Sequence, residues 1–287
     1  MLDARLSLDN EQQLYSIVTF VALSDADIDR YRQHLYCEQC GGKAYFRKQS
    51  VDGKSACFGS RYHSHDCDQA RLTNQSTKET RDALELDKLI IENKPLVLDF
   101  SAPCIVKTKS MTSAATTSTD TKNTGQAIES NAVTQTLTPS QAPQAIRLSM
   151  SKLLNSLLKG SNLATAETLI EIDAGYQFKA KNLFVNFANA HPSDSIKTAK
   201  PKMYWGTLSH TDAKLSWLNP ADCDDIGIPL GRHRAGLLKR FDLTDKRDFE
   251  GAGIILFGKC YWNKDKSRKI IELWNSERVF ISPAIED

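Results

Sequence analysis

The feature that most constrains this chain is a spacing of soft ligands. Cys37 and Cys40 stand as C-x2-C, and His63 and Cys67 follow as H-x3-C, in the context C-E-Q-C-G-G…Y-H-S-H-D-C. Three thiols and one imidazole are donors that a tetrahedral Zn2+ ion takes, and four of them fill its coordination. A filled tetrahedron has no open position for water or substrate, so the motif predicts a structural ion. A C-x2-C turn sets two sulfurs on one side of a knuckle, and Gly41-Gly42 lets the backbone turn back without steric cost. Residues 43–48 (K-A-Y-F-R-K) and 54–58 (K-S-A-C-F) read as short strands, with Asp52-Gly53 as the turn between them. His63 and Cys67 are four apart and share a face if a helical turn opens there. Knuckle, hairpin, then ligands at a helix start is a treble-clef layout. His65 competes as a ligand, but two residues from Cys67 on a helix it points away from the ion. Cys57 sits inside the second strand.

Composition narrows the setting. The chain has 287 residues, a length that favours two domains. Seven cysteines, an odd count, follow an N-terminus with early acids and no apolar leader, which argues against a disulfide framework. Cys104, Cys223 and Cys260 read as isolated thiols. No run approaches the roughly 18 apolar residues of a membrane span. The expectation is a soluble, cytoplasmic protein with no membrane partner. Net charge is +2, too balanced to imply a polyanion by itself. It is uneven: residues 146–287 carry about +4 and residues 1–145 about −2.

Residues 9–35 read as helical, with Leu14, Ile17, Val18, Val21 and Leu23 apolar and Ser24 as an N-cap ahead of Asp25, Asp27 and Asp29. A helix is expected over 78–92 and a buried strand over 95–100. Residues 107–143 are dominated by Thr, Ser, Ala, Gln and Asn and cannot bury enough surface to offset their ordering entropy. They predict a disordered, flexible linker. A helix over 145–159 follows, with Ile146, Met150, Leu153, Leu154, Leu157 and Leu158 on one face and Gly160 as a stop. Strand-like runs then cover 176–187, 202–209, 214–218, 253–262 and 269–281, the last broken near Asn275, with a helix over 230–242. Three strands, a helix and two strands is the order of a five-stranded OB barrel. The expected class is α+β: a zinc-finger domain over 1–106, a Thr/Ser-rich linker over 107–144, and an OB-like small β-barrel with a leading helix over 145–287.

The segment C-E-Q-C-G-G-K-A-Y-F-R-K…F-G-S-R-Y-H-S-H-D-C-D resembles the N-terminal zinc segment of bacterial competence-CoiA-like and related mobile-element proteins. It covers about thirty residues. The resemblance implies a zinc-finger fold in a bacterial DNA-handling setting. That family also carries a nuclease core of the form D…(D/E)-x-K, for which Glu92-Asn93-Lys94 with Asp82 or Asp87 upstream is the candidate here. The upstream acids fall on the expected helix.

The second half holds all four tryptophans, Trp205, Trp217, Trp262 and Trp274, interleaved with lysines and arginines. Single-stranded nucleic-acid binders stack bases on exposed rings and track phosphates with cations. Alternation on 258–262 sets Lys259 and Tyr261 on one face and Cys260 and Trp262 on the other. Asn263–Lys269 is a basic hairpin tip, and Arg232-His233-Arg234 opens a helix whose N-terminus suits a phosphate. Asp222, Asp224 and Asp225 read as a solvated loop. The candidate nucleic-acid residues are Trp205, Arg232, Arg234, Lys259, Tyr261, Lys264, Lys266, Arg268 and Lys269. No nucleotide-binding glycine loop or G-x-S-x-G is present. The expected function is non-catalytic nucleic-acid binding, single strands favoured, in DNA transfer, replication or defence. The rivals are a protein–protein adaptor that docks through the zinc domain and, behind it, a nuclease.

Overall fold

The computed structural model describes residues 1–50, 53–64, 66–70, 73–100, 145–172 and 175–284. The expected linker, Cys104, His65 and the turn residue Asp52 lie outside them. The chain opens on an antiparallel hairpin, β1 (Asp3–Leu8) and β2 (Glu11–Ser16). Asp9 and Asn10 between them both have positive φ, 52° and 66°. That two-residue left-handed turn matches the twist of the strands. Ser16 then caps α1 (Ile17–Val21) and Ser24 caps α2 (Asp25–Tyr31). The single helix expected over 9–35 is therefore a strand and two short helices. Leu14 and Val18 are exposed, while Phe20 and Ile28 are buried.

β3 (Leu35–Tyr36) runs back along β1, and β4 (Tyr45–Arg47) pairs with β5 (Cys57–Gly59) as the expected hairpin. The rings of Phe20, Phe46 and Phe58 meet at centroid distances of 4.9 to 6.0 Å and fill this part of the core. Aromatic contacts of this kind add to area burial.

Thr73 caps α3 (Asn74–Ile91), which leads to β6 (Leu96–Asp99). β7 (Ile146–Ser149) lies parallel beside β6, Leu96 opposite Ile146 and Asp99 opposite Ser149. Ser149 caps α4 (Met150–Leu158), so the helix expected over 145–159 begins as a strand. Met150, Leu153, Leu154, Leu157 and Leu158 are buried, as their spacing predicts. β8 (Leu169–Ile172) flanks β6 on its other side and carries β9 (Tyr176–Lys179) at the edge. The strand expected over 176–187 is β9, the one-turn helix α5 (Ala180–Leu183) and β10 (Phe184–Asn186). Strands from both sides of residues 101–144 thus share one sheet. One apolar core joins Leu86, Leu98, Leu148, Leu154 and Ile170 to Met203, Trp205, Ile255 and Phe257.

The rest is a closed five-stranded barrel. β11 (Lys202–Thr211), β12 (Trp217–Pro220) and β13 (Ile226–Pro229) pair antiparallel in sequence. α6 (Arg234–Phe241) follows them. β14 (Gly253–Trp262) and β15 (Lys269–Leu273) complete the ring. β13 meets β15 parallel, β15 meets β14, and β14 returns to β11. β16 (Val279–Ser282) pairs outside the ring with β14, and β10 with β11. The expected run over 269–281 breaks after Leu273. The third barrel strand, I-G-I-P, was not among the expected runs. Gly and Pro are poor strand residues and conceal it. Tyr204, Leu218, Ile226, Ile254, Leu256 and Ile271 fill the interior.

The first hundred residues are packed onto this barrel. Arg32, buried, donates to Glu250 Oε1 at 2.8 Å and to the Ser209 carbonyl at 3.1 Å. Glu250 Oε2 accepts the Lys48 backbone N–H at 2.8 Å. Gln33 Nε2 donates to the carbonyls of Pro220 and Cys223. Arg61 donates to Glu79 on α3 and to the Ser282 carbonyl, the latter at 3.2 Å. Removing one partner of a buried pair strands the other charge. Glu250→Ala is expected to lower unfolding free energy by about 3–5 kcal/mol, read from the denaturant midpoint.

Candidate functional site: a metal centre and an open barrel face

The four expected ligands converge. One donor atom from each of Cys37, Cys40, His63 and Cys67 lies within 4.8 Å of the others. Cys37 Sγ is 3.8 Å from Cys67 Sγ, and His63 Nδ1 is 3.4 Å from both Cys40 Sγ and Cys67 Sγ. A tetrahedron with metal–sulfur bonds of about 2.3 Å has sulfur–sulfur edges of about 3.8 Å, so the donor set fits a metal ion.

The local fold explains the convergence. Cys37 N–H donates to the Gly42 carbonyl at 2.8 Å, and Gly41 N–H to the Cys37 carbonyl at 3.0 Å. Gly41 has φ +70°, and a Cβ on Gly42 would stand 2.6 Å from the Tyr62 carbonyl oxygen. The knuckle closes against the ligand loop only with glycine there. His63 and Cys67 are held by turns, not by the helix expected at this point. Cys67 N–H donates to Ser64, Ala70 N–H donates to Cys67, and α3 begins only at Asn74.

Burial pushes the Cys67 thiol up to about 11, with the neighbouring Cys40 and Cys37 adding to it. Burial also raises Cys40, but bonds from the Ser64 and Gly42 backbone and from Cys67 and Cys37 hold it below the usual range. His63 is pushed below its usual value by burial first, which favours the neutral, ligating form. A dication would draw the thiols to thiolates.

The expected nucleic-acid residues do not form one cluster. Trp205 is 9% exposed and belongs to the core, its Nε1 buried and unpartnered. Tyr261 donates its hydroxyl to Glu272 at 2.9 Å, and Lys259 donates to the Ile196 carbonyl at 3.2 Å. These two sit on β14 beside the segment around Ser193, which bridges to Tyr261. Lys266 pairs with Asp194 at 3.0 Å and Lys269 with Asp225 at 2.8 Å. Lys264 and Arg232 are exposed. Arg234 Nε donates to the Leu215 carbonyl in the β11–β12 turn. Asp222, expected in a solvated loop, is turned inward, and its Oδ2 accepts the Thr207 N–H at 3.0 Å. Burial raises its carboxyl above the usual range.

Trp217 is not among the expected nucleic-acid residues. It is 38% exposed on β12. Both its ring and the Arg268 Nε lie 3.1 Å from where a Gly227 Cβ would stand. Gly227 on β13 thus makes a shallow seat that an indole and a guanidinium share. Arg268 Nη2 is anchored on Asn219 Oδ1 at 2.5 Å and on the Ile226 carbonyl at 3.0 Å. The turn 212–216 and the tip 263–268 flank this face. Of the nuclease candidates, Asp82 and Asp87 lie on α3 and Glu92-Asn93-Lys94 follow its end. Asp82 accepts from Asn155 at 2.7 Å and Asp87 from the Asn162 N–H at 2.8 Å.

Comparison with protein-family models, curated proteins and solved structures returns no match. Among the described residues, no helix is long and apolar enough to cross a membrane.

Two outcomes are expected. The purified chain binds one divalent metal ion, and Cys37→Ser removes it, read by elemental analysis and a chelator-competition assay. The second concerns His210, whose pKa is lowered to about 3 by burial first and then by Arg32, Arg268 and Lys246. The unfolded chain therefore takes the proton first, and native stability falls as pH drops from about 6.5 towards 3. Against His210→Gln, the wild type should lose up to about 1.4 kcal/mol per pH unit in that window, measured by denaturant titration.

Proposed function

We propose that the protein binds single-stranded nucleic acid without catalysis. On this reading its barrel is an OB fold, and its N-terminal knuckle and hairpin are a treble-clef finger holding structural Zn2+. The strand order supports the barrel reading: the third strand meets the fifth, the fourth returns to the first, and a helix lies between the third and fourth. Thiolate-rich tetrahedral sets are typical of structural Zn2+.

One observation carries the functional reading. Trp217 and Arg268 share the Gly227 seat on the outer face of the second and third barrel strands, between the two loops that OB folds use for oligonucleotides. A half-exposed indole offers a stacking platform, and the fixed guanidinium beside it offers a cation for the backbone. The likeness of the Cys/His segment to CoiA-like proteins supports a bacterial DNA-transfer, replication or defence setting.

A second reading, an adaptor, is favoured by one patch. Val18 and Val21 are 73% and 45% exposed on the N-terminal module, and with Ile17, Leu23 and Ile28 they line one depression. Contiguous apolar surface of that kind marks protein contacts. If the patch works this way, Val18→Asp abolishes partner co-purification and leaves oligonucleotide affinity unchanged.

Fluorescence anisotropy with a labelled oligothymidylate tests the main reading. Binding should weaken steeply as salt rises, and Trp217→Ala should cost about 1–3 kcal/mol. A wild type that binds neither single- nor double-stranded oligonucleotide at low salt would sink it.

A further inference from the structure

Trp217 and Trp274 are the two exposed tryptophans among the described residues, Trp274 the more so at 47%. They share one face of the barrel. Gly227, beneath the Trp217 ring, is opposite Ile270 of β15 in register. Ile271 and Leu273 point into the barrel interior, so Ile270, Glu272 and, at the end of the strand, Trp274 lie outward. β15 and β16 are successive pieces of one lane along β14. The Phe257 carbonyl accepts the Trp274 N–H at 3.0 Å, and the Phe257 N–H donates to the Arg278 carbonyl at 2.9 Å. Residues 275–277 are therefore looped out of the ladder, a bulge of the kind that re-aims a side chain. Arg240 of α6 holds the loop by the Ser276 and Glu277 carbonyls, at 2.9 and 3.3 Å.

The Trp274 indole is fixed from behind. Its ring centre is 5.7 Å from that of Phe257 and 5.9 Å from the Arg278 guanidinium carbon. That guanidinium also lies over the rings of Phe100 and Phe257, at 4.8 and 5.4 Å. An exposed indole beside an arginine thus occurs twice on this face, Trp217 with Arg268 and Trp274 with Arg278. Such a pair offers a base a stacking surface and the backbone a cation. Glu272 lies between them, opposite Lys259 in register, and accepts the Tyr261 hydroxyl.

Resting on the nucleic-acid reading, we propose that Trp274 is a second base-stacking platform, and that one single strand runs from Trp217 across β13 and along β15 to reach it. One lane of about 4.8 Å and four residues of about 3.3 Å each separate the two rings by about 14 Å. At about 3.4 Å per stacked nucleotide that is about four steps, or about five nucleotides. This falls within the roughly 4–16 nucleotides that one OB fold occupies. Bases lie on the rings and the phosphates face outward, away from Glu272. Stacking accepts any base, so the strand is of any sequence.

The test measures the affinity of oligothymidylates of two to ten nucleotides for the wild type, Trp217→Ala, Trp274→Ala and Trp274→Phe. Wild-type affinity should step up once the strand spans both rings, near about five nucleotides. Trp274→Ala should weaken the ten-nucleotide strand about tenfold or more, remove the step and leave the dinucleotide unchanged. Trp274→Phe, which keeps a ring, should keep the step. Trp274→Ala with the wild-type step, beside a weakened Trp217→Ala, overturns the second platform and leaves the first standing. An equal loss at every length for Trp274→Ala also overturns it, because the ring then acts through the fold and not through the strand's reach. No effect of either alanine variant overturns the nucleic-acid reading with it.

Discussion

The buried guanidinium of Arg61 is the constraint on which the arrangement of this molecule depends. It is 3% exposed and reaches in several directions at once: to Glu79 on α3, to the carbonyls of Ser282 and Pro283 at 3.2 and 3.3 Å, and to Ser282 Oγ at 3.3 Å. An arginine taken out of water tolerates burial only when its fork is matched by acceptors, and here α3, β16 and the residue after β16 supply them together. Arg61 stands two residues before His63. Tyr62, between them, is half-buried with its hydroxyl sealed beside Asp222 and Thr207, and burial, then the Asp222 charge, raises that hydroxyl well above the usual range. The ligand loop that closes on the metal donors is therefore also the loop that plugs into the barrel.

What the sequence revealed follows the range of the interactions concerned. Cys37, Cys40, His63 and Cys67 were legible because ligand chemistry and local spacing suffice to read them. Ser24 and Gly160 were legible because caps and stops are local as well. The hairpin at Asp9-Asn10 is equally local, but the apolar run after it reads as a helix. The barrel strand I-G-I-P was concealed because it is made by its neighbours and not by propensity.

The choice between Trp205 and Trp217 was out of reach for a different reason. Alternation separates faces only where one face is wet. β11 is buried along most of its length, its inner side in the barrel and its outer side under α4 and the mixed sheet. On β12 the coverage ends, and Trp217 emerges. Which strand of a barrel is left open depends on what other parts of the chain cover, and that is a tertiary fact. The basic tip at 263–268 shows the same limit: the lysines were visible, but their pairing with Asp194 and Asp225 was not.

The neighbouring strands Leu96–Asp99 and Ile146–Ser149 have a consequence for how this chain can vary. The sequence leaves their sheet after one strand and re-enters it in the adjacent lane, running the same way. Parallel neighbours cannot be joined by a tight turn, so a connection from Asp99 to Ile146 has to travel back the length of the strand, which takes about a dozen residues or more. The register of Leu96 against Ile146 therefore sets a lower bound on how far the chain between these strands could be shortened.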